Sequence, residues 1–120
     1  MKPTIYMEEA TRTESLQYFP QNHRLEHAID GVVSEAGELV DAMKKAKYYG
    51  KELDLTNLKE EGGDILWYLA LMFDELGTTF EEEMQRNNSK LRARFPDKFT
   101  RHSALNRDLE KERSILEGDK

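Results

Sequence analysis

Two pairs of acidic residues, each spaced three apart, are the part of this sequence with the clearest chemical meaning. The pairs are Glu35 with Glu38 and Glu61 with Asp64, and both lie in segments of helical periodicity. Residues three apart on a helix are neighbours on its surface, with Cβ atoms roughly 5–6 Å apart. Two such helices packed together would gather four carboxylates, whose repulsion must be relieved by protons or cations. Oxygen-only clusters suit Mg²⁺ or Mn²⁺, which most often serve phosphate chemistry.

The first acidic pair has polar and small neighbours on its helix. At 100° per residue, His27, Glu38 and Lys45 point in one direction. Beside them runs a ribbon of small residues that lets a helix or a ligand approach closely: Ala28, Gly31 and Ala42. This face is therefore predicted to be covered and not fully solvated.

The second acidic pair is followed by aromatic residues and interrupted by glycines. Tyr68 lies one turn beyond Asp64, where it or Trp67 could stack on a base. Gly62 and Gly63 lie inside the helix, where each costs about 1 kcal/mol relative to alanine. Close approach of a neighbouring helix, or crowding around a metal ion, is expected to offset this cost.

A further helix supplies cations. Asn87, Lys90 and Arg94 follow one another at i, i+3 and i+7, so they share one flank. An inward amide with two adjacent cations would suit the phosphates of a nucleotide. These three residues are the predicted phosphate-side group.

Length and composition restrict the class of protein. A chain of 120 residues is expected to form one domain, and 38% hydrophobic with 35% charged residues suits helices with solvated outer faces. The net charge of −6 argues against nucleic-acid binding, and the absence of cysteine excludes thiolate chemistry. The N-terminus lacks a secretory core, and the longest apolar run, residues 65–73, is too short for a bilayer. A soluble, cytoplasmic protein without a membrane partner is expected.

The first half of the chain is predicted to form two helices. A short one covers residues 4–18, where the residues available for packing are Tyr6, Leu16, Tyr18 and Phe19. Pro20 interrupts it, and Asn22 is expected to cap the next helix, over residues 23–49, which ends at Gly50. That helix has an apolar stripe centred on Ala36: Leu25, Ile29, Val32, Val33, Leu39, Val40 and Met43.

The second half is predicted to form three more helices. One starts at Asp54 or Thr56 and stops before Gly77, and its apolar residues 65–73 indicate a central helix covered on all sides. The next opens at Thr79 in a capping box with Glu82, ends at Pro96 and has as its inner face Phe80, Met84, Leu91 and Phe95. A polar break over 97–103 precedes a last, charged helix over 104–116.

The predicted fold class is all-α, a helical bundle whose four-helix core is completed by dimerisation. Residues 1–22 are interpreted as a short helix and linker, 23–99 as the catalytic helical domain, and 100–120 as a charged C-terminal helix. Di-iron bundles use Glu-x-x-His on two helices, and no such motif occurs here, which favours a redox-inert cation.

Three segments resemble the MazG-like nucleoside triphosphate pyrophosphohydrolases of the all-α NTP pyrophosphatase superfamily. They are EAGEL at 35–39, EEGGDILWY at 60–68 and NNSKLRARFP at 87–96, and the resemblance covers about residues 27–99. The superfamily also contains dCTP and dimeric dUTP pyrophosphatases and phosphoribosyl-ATP pyrophosphohydrolase. Gly62 departs from the pattern, because relatives more often carry an apolar residue there.

The resemblance implies metal ligands, a reaction and an assembly. The implied metal ligands and catalytic residues are Glu35, Glu38, Glu61 and Asp64, with Mg²⁺ or Mn²⁺ as cofactor. The implied reaction is hydrolysis of a (d)NTP to (d)NMP and pyrophosphate, with Glu38 as the preferred base for the attacking water. The expected substrate-binding residues are Asn87, Lys90, Arg94, Tyr68, His27 and Lys45. A homodimer or homotetramer is implied.

Other functions fit the same residues. One is a non-catalytic helical dimer that senses nucleotides or binds another protein through the small-residue ribbon. Another is a structural dimer whose acids are surface residues. A closer alternative is hydrolysis of a different pyrophosphate, such as phosphoribosyl-ATP or an alarmone.

Overall fold

The computed structural model describes residues 1–15, 17–18 and 23–118, which form six helices and no strand. The helices are α1 (Pro3–Thr11), α2 (Arg24–Tyr49), α3 (Leu55–Glu75), α4 (Phe80–Arg94), α5 (Arg101–Leu105) and α6 (Leu109–Glu117). The all-α prediction is confirmed. The chain divides into two compact units, Met1–Thr79 and Phe80–Lys120, which hold α1–α3 and α4–α6 respectively.

In the N-terminal unit, α2 packs along α3 through its small residues. Ala28 is fully buried, Gly31 is buried, and the Tyr68 ring of α3 lies directly against the Gly31 backbone. A Cβ atom at Gly31 would fall 2.1 Å from Tyr68 Cδ1. The prediction that the ribbon lies on a covered face of α2 is confirmed at these two residues.

The apolar stripe of α2 is exposed in the single chain. Val33 and Val40 are 68% and 60% exposed, and Ile29 and Met43 are exposed as well. α3 buries Ala70 and Leu71 fully but leaves Leu66 exposed, so the prediction that it is covered on every side is wrong for this chain alone. Because the small face allows the closer approach to the Tyr68 ring, it is the face that α2 turns towards α3.

The first helix is shorter than predicted and is held by Trp67. It ends at Thr11, where the hydroxyls of Thr11 and Thr13 donate to the carbonyls of Met7 and Ala10 at 2.8 and 2.7 Å. The indole Nε1 of Trp67 donates to Ala10 O at 3.0 Å and to Thr13 Oγ1 at 2.9 Å. The predicted roles of Leu16, Phe19, Pro20 and Asn22 lie outside the described residues.

A cluster of ion pairs joins the start of α2 to the segment after α1 and to the end of α3. The Arg24 guanidinium donates to both Glu14 oxygens at 2.7 and 2.8 Å, to Asp74 at 2.8 Å and to Glu75 at 3.0 Å. Tyr18 also donates to Glu14. The Arg24 and Glu14 side chains are only 20% and 10% exposed, so this pair is largely removed from water, whereas Asp74 and Glu75 are exposed.

The turn between α2 and α3 follows the predicted capping residues. Gly50 adopts a left-handed φ of 65°, and both its N–H and that of Lys51 bond to Lys45 O. Asp54 then caps α3 by accepting from the Asn57 N–H at 3.1 Å. These two caps fix where α2 ends and α3 begins.

The C-terminal unit differs from prediction in its last segment. The single helix expected over 104–116 is two helices, because Thr100 caps α5 and Asp108 starts α6 by accepting from the Lys111 N–H at 3.1 Å. α6 packs on α4, and its Glu112 is 4% exposed. Met84 is exposed, so its assignment to the inner face of α4 is wrong.

Candidate metal and nucleotide site

Three of the four predicted metal ligands lie together on the seam between α2 and α3. Glu35, Glu61 and Asp64 each offer a carboxylate oxygen, and these oxygens lie within 4.8 Å of one another. Glu35 comes from the α2 face that also holds Ala28 and Gly31, so the close packing of the helices brings it to the α3 acids. We call Glu35, Glu61 and Asp64 the acid trio.

The acid trio is electrostatically unfavourable without a positive charge. The pKa of Glu61 is raised, mainly by its hydrogen-bonding interaction with the Glu35 carboxyl, then by burial and by the negative charges of Glu35 and Asp64. Glu61 Oε2 is buried and accepts no hydrogen bond from any described residue. A carboxylate oxygen in that position needs either a proton or a cation.

The donor set of the trio fits a hard divalent cation. All its ligand atoms are carboxylate oxygens, the type that Mg²⁺ and Mn²⁺ prefer. Glu61 Oε2 is buried and forms no hydrogen bond with any described residue, so it can coordinate such an ion. The residues present therefore fit the metal that the sequence predicted.

The fourth predicted ligand, Glu38, lies outside the trio. It lines a cleft of about 300 Å³ between the C-terminal half of α2 and the start of α3, together with Glu61 and Asn57. Glu38 is exposed. Glu61 therefore belongs both to the trio and to this cleft, which we call the α2–α3 cleft.

The predicted aromatic and histidine positions lie near the N-terminal end of α2. The His27 ring lies between those of Tyr18 and Tyr68, with centroids 5.5 and 5.6 Å away. His27 also lines a hollow of about 650 Å³ with Tyr18 and Asp30. The Tyr68 ring packs against Gly31 and meets Trp67 edge-on, at 5.0 Å between centroids.

The glycines beside the second acidic pair do not serve the predicted purpose within one chain. A Cβ atom at Gly62 or Gly63 would meet nothing within 4 Å. The expectation of close helix approach at these positions is therefore wrong for the described chain by itself, and crowding around a metal ion stays a prediction.

Two of the three predicted cations, Lys45 and Arg94, form ion pairs with acidic side chains. Lys45 lines the α2–α3 cleft, but its ammonium pairs with Asp41 at 2.9 Å, and this hydrogen bond raises its pKa. In the C-terminal unit, Arg94 donates to Glu112 at 2.6 Å, and Arg107 donates to the same carboxylate at 2.9 Å.

The remaining two residues of the phosphate-side group lie on α4. Asn87 is exposed, so the amide does not point inward as predicted. Lys90 is half-buried and forms no ion pair with the residues that the structure describes. Lys90 is therefore the cation of this group that is not already paired.

Sequence analysis did not select Lys51 as a site residue. It lies in the turn between α2 and α3 and lines the α2–α3 cleft. Its position after the capping Gly50, between the two acidic pairs, is the signal that could have identified it.

A comparison with known families identifies the chain. The MazG nucleotide pyrophosphohydrolase domain matches residues 23–99, a range that contains the acid trio, the α2–α3 cleft and α4. Because this match covers most of the chain, the protein belongs to the MazG nucleotide pyrophosphohydrolase family. The resemblance inferred from the acidic pairs is confirmed.

A similar curated protein is the Gene 37 protein of Mycobacterium phage L5. It is 33% identical over 75 residues, which are 58% of this chain and 65% of the phage protein. The chain thus spans about two thirds of that relative's length. No solved structure matches the chain.

A helix that crosses a bilayer must be both long and apolar. None of the helices in the described part of the chain meets both requirements for crossing a membrane.

Proposed function

We propose that this protein hydrolyses a nucleoside triphosphate between its α and β phosphates, with Mg²⁺ or Mn²⁺ as cofactor, in the cytoplasm. The products are a nucleoside monophosphate and pyrophosphate. The observation that carries the proposal is the acid trio, with its buried, unpartnered Glu61 oxygen, in a chain of the MazG family.

Glu35, Glu61 and Asp64 would hold the metal. Glu38 would either complete the ligand set or act as the base that accepts a proton from the attacking water. Bound there, a divalent cation supplies positive charge against the phosphate oxygens and lowers the pKa of a water molecule. The trio itself contributes fixed negative charge at one place, which localises the cation before substrate arrives.

Glu38 is the proposed general base. It is exposed, lies outside the trio and faces the cleft that Glu61 also lines, so its carboxylate is available to a water molecule there. In the proposed step a water oxygen bonds to the α phosphorus while the bond from that phosphorus to the bridging oxygen breaks. Pyrophosphate leaves with the bridging oxygen, and the water proton goes to the Glu38 carboxylate.

The remaining substrate contacts are assigned by position. His27 and Tyr68 would contact the base or sugar, because they lie at the N-terminal end of α2, next to the hollow. Lys90, Asn87 and Arg94 would contact phosphates, as the resemblance implies. Lys45 would assist after exchanging its Asp41 partner, and Arg94 after exchanging Glu112.

We propose further that two chains associate through the exposed stripe of α2. Its exposed members recur at spacings of four and three residues, the pattern that packs helices against each other: Ile29, Val33, Ala36, Val40 and Met43. A second copy of the same stripe would be an apolar partner of matching spacing. This supports the expected homodimer, from which a homotetramer would require an additional interface.

The test is pyrophosphate release from a panel of canonical and damaged (d)NTPs, with and without Mg²⁺. We expect Glu38→Gln and Asp64→Asn to lower turnover at least about 100-fold, because each removes a charged group from the reacting centre. The matched control is Glu60→Gln, which removes an exposed acid next to Glu61 but outside the trio. Wild-type rates in both site variants would refute the proposal. Tight nucleotide binding without turnover would support the sensing alternative instead.

A further inference from the structure

The α2–α3 cleft contains a lysine to which no role has been given. Lys51 lines the same cleft as the acid trio's Glu61, in a turn whose backbone is fixed by capping hydrogen bonds. Gly50 has φ 65°, and the Lys51 N–H bonds to Lys45 O at 3.2 Å. The turn therefore sets where the Lys51 backbone lies, while the side chain remains exposed.

Among the charged groups of the cleft, Lys51 is the available cation. The other lysine there, Lys45, is paired with Asp41 at 2.9 Å. Lys51 forms no ion pair with any residue that the structure describes, although two acids, Glu52 and Asp54, are near it in sequence. Asp54 accepts from the Asn57 N–H and so caps α3.

The cleft is lined by more acidic than basic side chains. Its lining carboxylates are five: Glu38, Asp41, Glu52, Asp54 and Glu61. Glu38 is the proposed base and Glu61 is a proposed metal ligand. Asp41 pairs with Lys45, and Asp54 caps α3. A divalent cation on the acid trio would offset the negative charge around Glu61, so a phosphate in the cleft could contact both that cation and the unpaired Lys51.

The order of groups along α2 gives the direction of the substrate. His27 and the hollow lie about 12 Å before Glu35 along the helix axis, and Lys45 lies about 15 Å after it, at 1.5 Å per residue. The trio thus lies between an aromatic end and the α2–α3 cleft. A nucleotide whose α phosphate lies at the trio has its base at one end and its β and γ phosphates at the other.

We propose that Lys51 is a substrate-binding residue whose ammonium contacts the β and γ phosphates, the group that leaves as pyrophosphate. This inference rests on the proposed function. Lys51 forms no covalent bond in the step. Its positive charge lies beside the oxygens that gain negative charge when the bond to the α phosphorus breaks.

The inference is tested by comparing Lys51→Ala with Lys59→Ala. Lys59 is an exposed lysine of α3 that does not line the α2–α3 cleft. Two quantities are measured: KM and kcat for the best NTP of the panel, and the affinity of the protein for inorganic pyrophosphate with Mg²⁺ by calorimetry. Thermal melts check that each variant is folded.

We expect Lys51→Ala to weaken pyrophosphate binding and raise KM about tenfold, with Lys51→Arg restoring most of the loss and Lys59→Ala unchanged. Equal pyrophosphate affinity in wild type and Lys51→Ala, in a protein that hydrolyses NTPs, would overturn the inference and leave the proposed function standing. A wild-type protein that neither hydrolyses an NTP nor binds Mg²⁺ pyrophosphate would overturn both. An equal loss in Lys59→Ala would show a general charge effect and would also overturn the role of Lys51.

Discussion

The Tyr68 ring occupies the space that any side chain at Gly31 would need. Because the nearest ring atom lies 2.1 Å from an ideal Cβ position, α2 and α3 can approach this closely only with glycine at 31. The same seam brings Glu35 to Glu61 and Asp64 one turn further along α2. The packing of an aromatic ring on a glycine backbone therefore determines the spacing of the acid trio.

We expect Gly31→Ala to lower the free energy of unfolding by about 1–3 kcal/mol, because the added methyl group must displace the Tyr68 ring. The control is Gly37→Ala on the same helix, where a Cβ atom meets nothing within 4 Å. That variant is expected to be stabilised by about 1 kcal/mol through helix propensity. Urea unfolding measures both. Equal stability changes in the two variants would contradict the role of the Tyr68 contact.

Metal binding should stabilise the folded protein through the acid trio. Adding Mg²⁺ or Mn²⁺ is expected to raise the Tm of the wild type, because the ion binds the folded state and relieves the repulsion among Glu35, Glu61 and Asp64. Glu61→Gln should abolish this rise, whereas Glu60→Gln should keep it. Chelator should reverse it. A metal-induced rise of the same size in Glu61→Gln would place the ion elsewhere.

The Arg24 cluster should contribute strongly to the stability of the N-terminal unit. Arg24→Ala leaves Glu14, which is 10% exposed, without its cation, so we expect a loss of about 3 kcal/mol. Arg12→Ala removes an ion pair to Glu9 whose partners are both mostly exposed, and should change stability by less than about 1 kcal/mol. Denaturant midpoints compare the two. A loss in Arg12→Ala as large as that in Arg24→Ala would contradict this ranking.

The stability of the C-terminal unit should depend on acid pH through Glu112. Hydrogen bonds from Arg107 and then Arg94 lower the pKa of Glu112 to about 2, from the usual 4.5. Because the folded state lowers this pKa, the folded protein binds fewer protons than the unfolded chain between pH 4.5 and 2. The stabilisation is therefore complete above about pH 4.5 and is lost as the pH falls towards 2.

The measurement is the pH dependence of unfolding in Glu112→Gln and in the exposed control Glu110→Gln. The first variant should lose stability at neutral pH and show a weaker decline in acid. The control should follow the wild type. Parallel acid profiles for wild type and Glu112→Gln would contradict the assignment.

Association through α2 should be sensitive to charge on its exposed stripe. We expect Val33→Asp and Val40→Asp to shift the protein from dimer to monomer in sedimentation velocity, since each would bury a carboxylate in an apolar interface. Ser34→Asp, which places a carboxylate at an exposed position of α2 away from the stripe, serves as the control. A wild-type monomer, or a dimer unaffected by both substitutions, would show that the stripe is not the interface.

Local signals in the sequence were sufficient for the turn between α2 and α3 and for selecting the acidic residues that the structure brings together. Gly50 and Asp54 act through their own backbone and nearest turns, so their capping roles followed from residue type alone. The acidic pairs could likewise be recognised from local sequence, because residues three apart on a helix are neighbours on its surface. The split between α5 and α6 was missed although Asp108 is a capping residue, since the charged segment was interpreted as one periodic helix.

The other features of the fold and of the site depend on tertiary contacts, which the periodicity of a single helix does not predict. α2 has one face of large apolar residues and another of small ones, and which face packs inward depends on the position of Tyr68 on another helix. Likewise Arg94 looks like a phosphate ligand in sequence, but Glu112, eighteen residues later, accepts its hydrogen bond. Such long-range partners cannot be inferred from spacing within a single helix.

The two sides of α2 are separate, and this separation affects which amino-acid substitutions the protein can tolerate during evolution. Glu35 and the fit against Tyr68 share one side of the helix, and the bulky aliphatic residues are on another. Substitutions among these aliphatic residues, which would change the proposed self-association, can therefore accumulate without disturbing the carboxylates. A twist of the helix large enough to hide those aliphatic groups inside its own subunit would instead carry Glu35 away from its acidic neighbours.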